Sequence, residues 1–143
     1  MSGAAEKRIL AVDFGERRTG LAATDWTGSL CLPLPRIDEG DATKLCAAIA
    51  ALVRERDTQR VVLGMPLLHD GVAGQRAQRT QQFQSMLEVA VAPVPVSTVD
   101  ESHSTDEAHE RMKDLGMKAS RRKAFADSIA ALVILERWRA LCR

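Results

Sequence analysis

Ile9-Leu10-Ala11-Val12-Asp13-Phe14-Gly15 runs through four apolar residues, sets a carboxylate at the fifth position and closes on glycine. A short apolar run ended by a turn former reads as a strand buried on both faces. An acid at the end of such a strand lies where loops meet at the edge of a sheet. In open α/β sheets that edge is where ligands bind. Asp13 therefore reads either as a carboxylate facing a ligand or as a turn former, a common use of Asp.

Working outward, a second strand is expected over Gly20–Thr24 and a third within Ser29–Leu34, before the break at Pro33 and Pro35. Asp41 to Arg56 has helical spacing, with Leu45, Ile49, Leu52 and Val53 on one stripe. Arg60–Gly64 is a strand ended by Pro66, and Leu67–Gly74 a loop that serves as a substrate-side segment or as a plain connector. Gln75 to Val89 is a helix burying Phe83, Met86 and Leu87, and Pro95–Val99 is the fifth strand. Ser104-Thr-Asp-Glu107 is a capping box opening a helix to about Leu115, ended by Gly116. The basic segment Lys118–Lys123 then leads into a last helix over Ala124–Leu141. Early hairpin strands followed by strand–helix alternation predict an α/β fold: a mixed five-stranded sheet with helices on both faces, one domain over residues 1–143.

Composition narrows the partners. A chain of 143 residues buries about two-thirds of its unfolded surface and needs no disulfide or metal staple. Cys31, Cys46 and Cys142 are odd in number and none forms a C-x-x-C pair, which suits a reducing cytoplasm. No apolar run approaches the roughly 20 residues of a membrane helix, and the start MSGAAEKR has no secretory apolar stretch. The formal charge of +1 argues against a uniformly basic nucleic-acid binder, and with no Tyr, three Phe and two Trp there is little for base stacking. The charge is segregated, however. Residues 111–143 carry nine Lys or Arg against three acids, and residues 1–110 carry eleven against sixteen.

Two further acids stand out. Asp100-Glu101 ends the fifth strand, and because strand side chains alternate, only one of the pair easily shares a site with Asp13. Asp127 shares a helical stripe with Ala130, Ala131, Ile134, Trp138 and Leu141. A charge on an apolar stripe is costly unless it is paired, caps a helix or binds a cation. The small residues beside it let the helix approach the sheet. Three acids from three distant segments would then meet, each raising the others' pKa, and a hard cation such as Mg²⁺ relieves the repulsion. Two such ions about 4 Å apart activate a water and steady the leaving oxygen of a phosphodiester.

Ala11-Val-Asp-Phe-Gly15 with Arg18-Thr-Gly20, Val62-Leu-Gly-Met-Pro66, Asp70-Gly71, Arg76-Ala-Gln78 with Phe83, Val99-Asp-Glu101 with Ser104-Thr105 and Ala108, and Asp127-Ser-Ile-Ala-Ala131 follow one another along nearly the whole chain. In this order they resemble the YqgF/RuvX family of RNase H-like nucleases, also described as Holliday junction resolvases and as pre-16S rRNA nucleases. The resemblance implies an RNase H-like fold and hydrolysis of phosphodiesters with one or two Mg²⁺ or Mn²⁺ ions. It places the catalytic and metal-binding acids at Asp13, Glu101 and Asp127, with Asp100 in reserve. The family pattern has Arg after the Asp-Glu pair; here Ser102-His103-Ser104 follows, which removes a phosphate or structural contact.

Arg17 and Arg18 in the turn after Asp13, Arg76 and Arg79 at a helix start, and Lys118, Arg121, Arg122 and Lys123 ahead of Asp127 are candidate nucleic-acid contacts. Each reads equally as solvated surface charge. His69, His103 and His109 have no zinc-ligand spacing. The leading expectation is a nuclease processing the 5′ end of precursor 16S rRNA in ribosome biogenesis, cytoplasmic, as a monomer or weak homodimer. Alternatives are a resolvase of four-way DNA junctions, a nucleotide-phosphate binder of the actin and sugar-kinase type, and a catalytically silent RNA-binding module.

Overall fold

The computed structural model describes residues 6–66, 71–101, 107, 110, 113–114, 116 and 118–142, with the backbone alone for 71–73 and 119–125. The described strands are β1 (Ile9–Asp13), β2 (Arg18–Thr24), β3 (Cys31–Asp38), β4 (Arg60–Met65) and β5 (Val96–Asp100). The described helices are α1 (Ala42–Glu55), α2 (Gly71–Val91) and α3 (Ala119–Leu141). The five strands form one sheet in the order β3-β2-β1-β4-β5. β1–β2 and β2–β3 are antiparallel, β1–β4 and β4–β5 parallel. The mixed sheet expected from the sequence is present.

Strand alternation sorts the apolar side chains into two cores. Leu10, Val12, Leu21, Ala23, Val61 and Leu63 face α1 and α2, packing on Leu45, Ile49, Phe83 and Leu87. Ile9, Ala11, Ala22, Val62 and Val99 face the opposite way, onto Ile129, Ala130, Ala131, Leu132, Ile134 and Leu135 of α3. β1 and β4 are thus covered on both faces, which is why both read as unbroken apolar runs.

α1 begins where Asp41 accepts hydrogen bonds from the Thr43 and Lys44 amides at 2.8 and 3.1 Å. Three boundaries and two burial assignments differ from the sequence expectation. β3 passes through Pro33 and Pro35, because it is an edge strand and tolerates the missing N–H donors. α2 takes in Gly71–Gly74, assigned above to a loop, and Met86 on it is 39% exposed. α3 begins at Ala119, so most of the basic segment forms its first turns and does not lead into it. Leu141, at the far end of the α3 stripe, is exposed. The capping box at Ser104–Asp106, and Leu67–Asp70, lie outside the described residues. Gly116 has φ 74°, as expected of a residue that ends a helix.

α3 is pinned to the sheet edge by Ser128, whose buried Oγ donates to the Leu34 carbonyl at 2.6 Å. Ser128→Ala removes that donor and is expected to cost about 1–2 kcal/mol, lowering the melting temperature by about 3–6 °C in a thermal unfolding scan.

Candidate active site

Asp13 ends β1 and pairs in register with Gly20 of β2. The register Val12–Leu63 brings Gly64 of β4 up on its other side. By alternation Asp13, Gly20 and Gly64 all lie on the α3 face of the sheet, with Ala11, Ala22 and Val62. Neither glycine leaves space for a side chain. A Cβ on Gly20 would lie 1.9 Å from the Asp127 carbonyl oxygen, and one on Gly64 would lie 2.9 Å from Glu101 Oε2 and 2.5 Å from Ile134 Cδ1. The two glycines are notches flanking Asp13. One admits the backbone of α3 at Asp127, and the other admits the carboxylate of Glu101.

Alternation also separates Asp100 from Glu101. Glu101 is 7% exposed, whereas Asp100 is exposed, its carbonyl accepting from Arg137 Nη1 at 2.9 Å. Asp127 lies in the third turn of α3, which excludes an N-cap role, and its side chain is 37% exposed.

Burial pushes the Asp13 carboxyl well above the usual carboxylate range. Its hydrogen bond to Glu101 and the charge of Glu101 raise it further, Arg76 opposes the shift, and Asp127 adds to it. Asp13 Oδ1 is buried without a hydrogen-bond partner. Arg76 Nη2 stands 3.3 Å from Glu101 Oε1, and Arg36 Nη1 stands 3.6 Å from Asp127 Oδ2. Among the described residues no three His, Cys, Asp or Glu side chains are grouped so as to hold a metal ion as they stand. Asp13 and Glu101 touch, and Asp127 is paired with Arg36. The chemistry of this donor set nevertheless suits a hard cation: all donors are oxygens, and one buried oxygen has no partner.

The basic candidates divide. Arg76 joins the site. Arg79 pairs with Glu16 at 2.6 Å, and Arg17, Arg18 and Lys118 are exposed. Arg121, Arg122 and Lys123 lie on the first turns of α3, and their side chains are outside the described residues. Sequence reasoning missed Arg36, which sits on a strand whose prolines suggested a break, and it missed the two notches. The Val-Leu-Gly-Met-Pro and Arg-Thr-Gly runs carried those glycines without a stated purpose.

A sheet in this order, with a carboxylate ending its central strand and a helix crossing beside it, defines an RNase H-like fold. The chain matches the family model described as RuvX: Holliday junction resolvase over residues 7–140, and it belongs to that family. A relative from Chloroflexus aurantiacus is 38% identical over 128 residues, 90% of this chain and 83% of its own. One from Synechococcus is 37% identical over 129 residues, 90% of this chain and 86% of its own. Both are provisionally named pre-16S rRNA nucleases. Among solved structures, Thermus thermophilus RuvC superposes with a TM-score of 0.63 at 15% identity, covering 94% of this chain and 96% of that one. The same protein in complex with a Holliday junction gives 0.61 at 15% identity, covering 94% and 95%. The family and the named relatives make this chain a nuclease, a hydrolase acting on nucleic acid.

Proposed function

We propose that the chain is a divalent-metal-dependent nuclease that processes the 5′ end of precursor 16S rRNA in the cytoplasm, with Asp13, Glu101 and Asp127 holding the ion. The observation that carries this reading is the buried, partnerless Asp13 Oδ1 set between the Gly64 notch, which admits the Glu101 carboxylate, and the Gly20 notch, which admits the α3 backbone at Asp127. Mg²⁺ or Mn²⁺ bound there supplies a water of lowered pKa and a counter-charge for the leaving oxygen. Without an ion the hydrogen bond between Asp13 and Glu101 holds one proton on the pair; that proton is the one a bound cation would replace, with α3 carrying Asp127 past Gly20 on the other side of Asp13. Asp100 remains in reserve at the strand end. Arg17, Arg18, Lys118, Arg121, Arg122 and Lys123 are the bases we assign to a salt-sensitive track for the phosphate backbone, on the strength of the sequence.

The family description and the resolvase neighbours favour one second reading, a four-way DNA junction as substrate. Symmetric resolution of a junction calls for a dimer, so the two readings separate on oligomeric state. The test offers a 5′-extended 16S precursor fragment and a four-way junction to the protein, with Mg²⁺, Mn²⁺ or EDTA, alongside a measurement of mass in solution. The expected result is metal-dependent cutting of the RNA by a monomer or weak dimer. Cutting of the junction alone, by a dimer, would establish the resolvase reading instead. Binding without cutting of either would make the protein a silent RNA-binding module.

A further inference from the structure

The two outer carboxylates of the site each face an arginine from another element. Arg76 of α2 lies 3.3 Å from Glu101, and Arg36 of β3 lies 3.6 Å from Asp127. Both separations exceed the roughly 2.7–2.9 Å of a charge-assisted hydrogen bond, so the pairs are loose. Arg36 is also held at its Nε, which donates to Asp38 Oδ1 at 3.1 Å, so the guanidinium has an anchor that does not depend on Asp127. The Arg76 side chain is 56% exposed. β3 is one edge of the sheet and β5, which delivers Glu101, is the other, so the two counter-ions belong to separate elements; of the two, Arg76 also acts on the charge of Asp13.

We propose that Arg36 and Arg76 are counter-ions that change partner. They neutralise Asp127 and Glu101 until a divalent cation takes those carboxylates, and they then face the phosphates of the nucleic acid. The proposal rests on the metal-nuclease reading above. A compact dication holds a carboxylate oxygen more strongly than a guanidinium at 3.3–3.6 Å does, because its charge is doubled and its approach is closer. A released guanidinium presents a planar fork that matches phosphate. Metal binding and nucleic-acid binding at this site are therefore coupled, and the coupling is reciprocal.

The test uses Ca²⁺ as the ion and a fluorescein-labelled stem–loop RNA as the ligand. Ca²⁺ binding is measured by calorimetry and RNA binding by anisotropy, in EDTA and in Ca²⁺. Wild type is compared with Arg36→Gln and Arg76→Gln. Wild-type RNA affinity is expected to rise with Ca²⁺. Each Gln variant should match wild type in EDTA within about twofold and lose about tenfold in Ca²⁺, with Ca²⁺ binding undiminished. Equal losses in EDTA and in Ca²⁺ would overturn the change of partner and leave two plain phosphate contacts. Failure of the wild type to bind Ca²⁺ would overturn the metal reading itself. Should a Gln variant not melt cooperatively, Arg36→Lys and Arg76→Lys keep the charge without the fork. They then give the same comparison with a smaller loss.

Discussion

Asp13→Asn is expected to stabilise the protein while abolishing cleavage. The wild-type carboxyl is raised by burial and by the hydrogen bond and charge of Glu101, and its Oδ1 has no partner. A group whose folded pKa lies above its unfolded value contributes stability that is fully present below the unfolded pKa. That contribution is lost as pH rises through the folded pKa. Above the ordinary carboxylate range and in EDTA the wild type therefore carries a cost at Asp13, either of a buried charge or of a proton taken up on folding. Asn removes the charge and can donate to Glu101, a gain of about 1–3 kcal/mol. Thermal melts in EDTA should show the variant melting above wild type at pH 8, with the gap closing as pH falls toward the ordinary carboxylate range. Cleavage with Mn²⁺ should drop at least about a thousandfold, or about 4 kcal/mol of barrier. A variant melting below wild type at pH 8 would show that the Asp13 carboxylate stabilises the fold and is not strained within it.

Gly20→Ala has the opposite sign on stability and nearly the same effect on activity. The new Cβ would lie 1.9 Å from the Asp127 carbonyl oxygen and 2.4 Å from its carbon, and helix backbone cannot give way as a side-chain tip can. α3 must lift from β2, taking Asp127 away from Asp13. A cost of about 2–4 kcal/mol, at the upper end for overpacking, is expected in urea unfolding, together with loss of cleavage. Gly40→Ala is the control. Its nearest neighbour, the Glu16 carbonyl oxygen, is 3.7 Å away, so stability should hold within about 0.5 kcal/mol. A Gly20→Ala protein as stable as wild type would mean that α3 approaches the sheet less closely than described.

These two positions also show what the sequence could reveal. Asp13 was legible because a carboxylate is conspicuous after four buried residues, and the choice between Asp100 and Glu101 was posed correctly by strand alternation. The Asp41 start of α1 was legible because capping is local chemistry. Gly20 and Gly64 were visible but mute, since their function depends on which backbone or side chain crosses them. Arg36 was hidden by its neighbours. Pro33 and Pro35 signal a break in a central strand, and only the sheet order reveals that β3 is an edge where the signal lapses. The α2 boundary was misjudged because Gly71 and Gly74 read as loop formers. The pairing of each outer acid with an arginine is a product of tertiary packing, and no spacing along the chain encodes it.

Asp127 is the member of the acidic set on which the account depends most, being the most exposed of the two outer acids and paired to Arg36. The most direct test is single-turnover cleavage of the precursor RNA fragment by Asp127→Asn in Mn²⁺, with a melt confirming that the variant is folded. If Asp13, Glu101 and Asp127 form one metal site, the rate falls at least about a hundredfold, or about 2.7 kcal/mol of barrier. Cleavage by a folded Asp127→Asn protein at the wild-type rate would contradict the account.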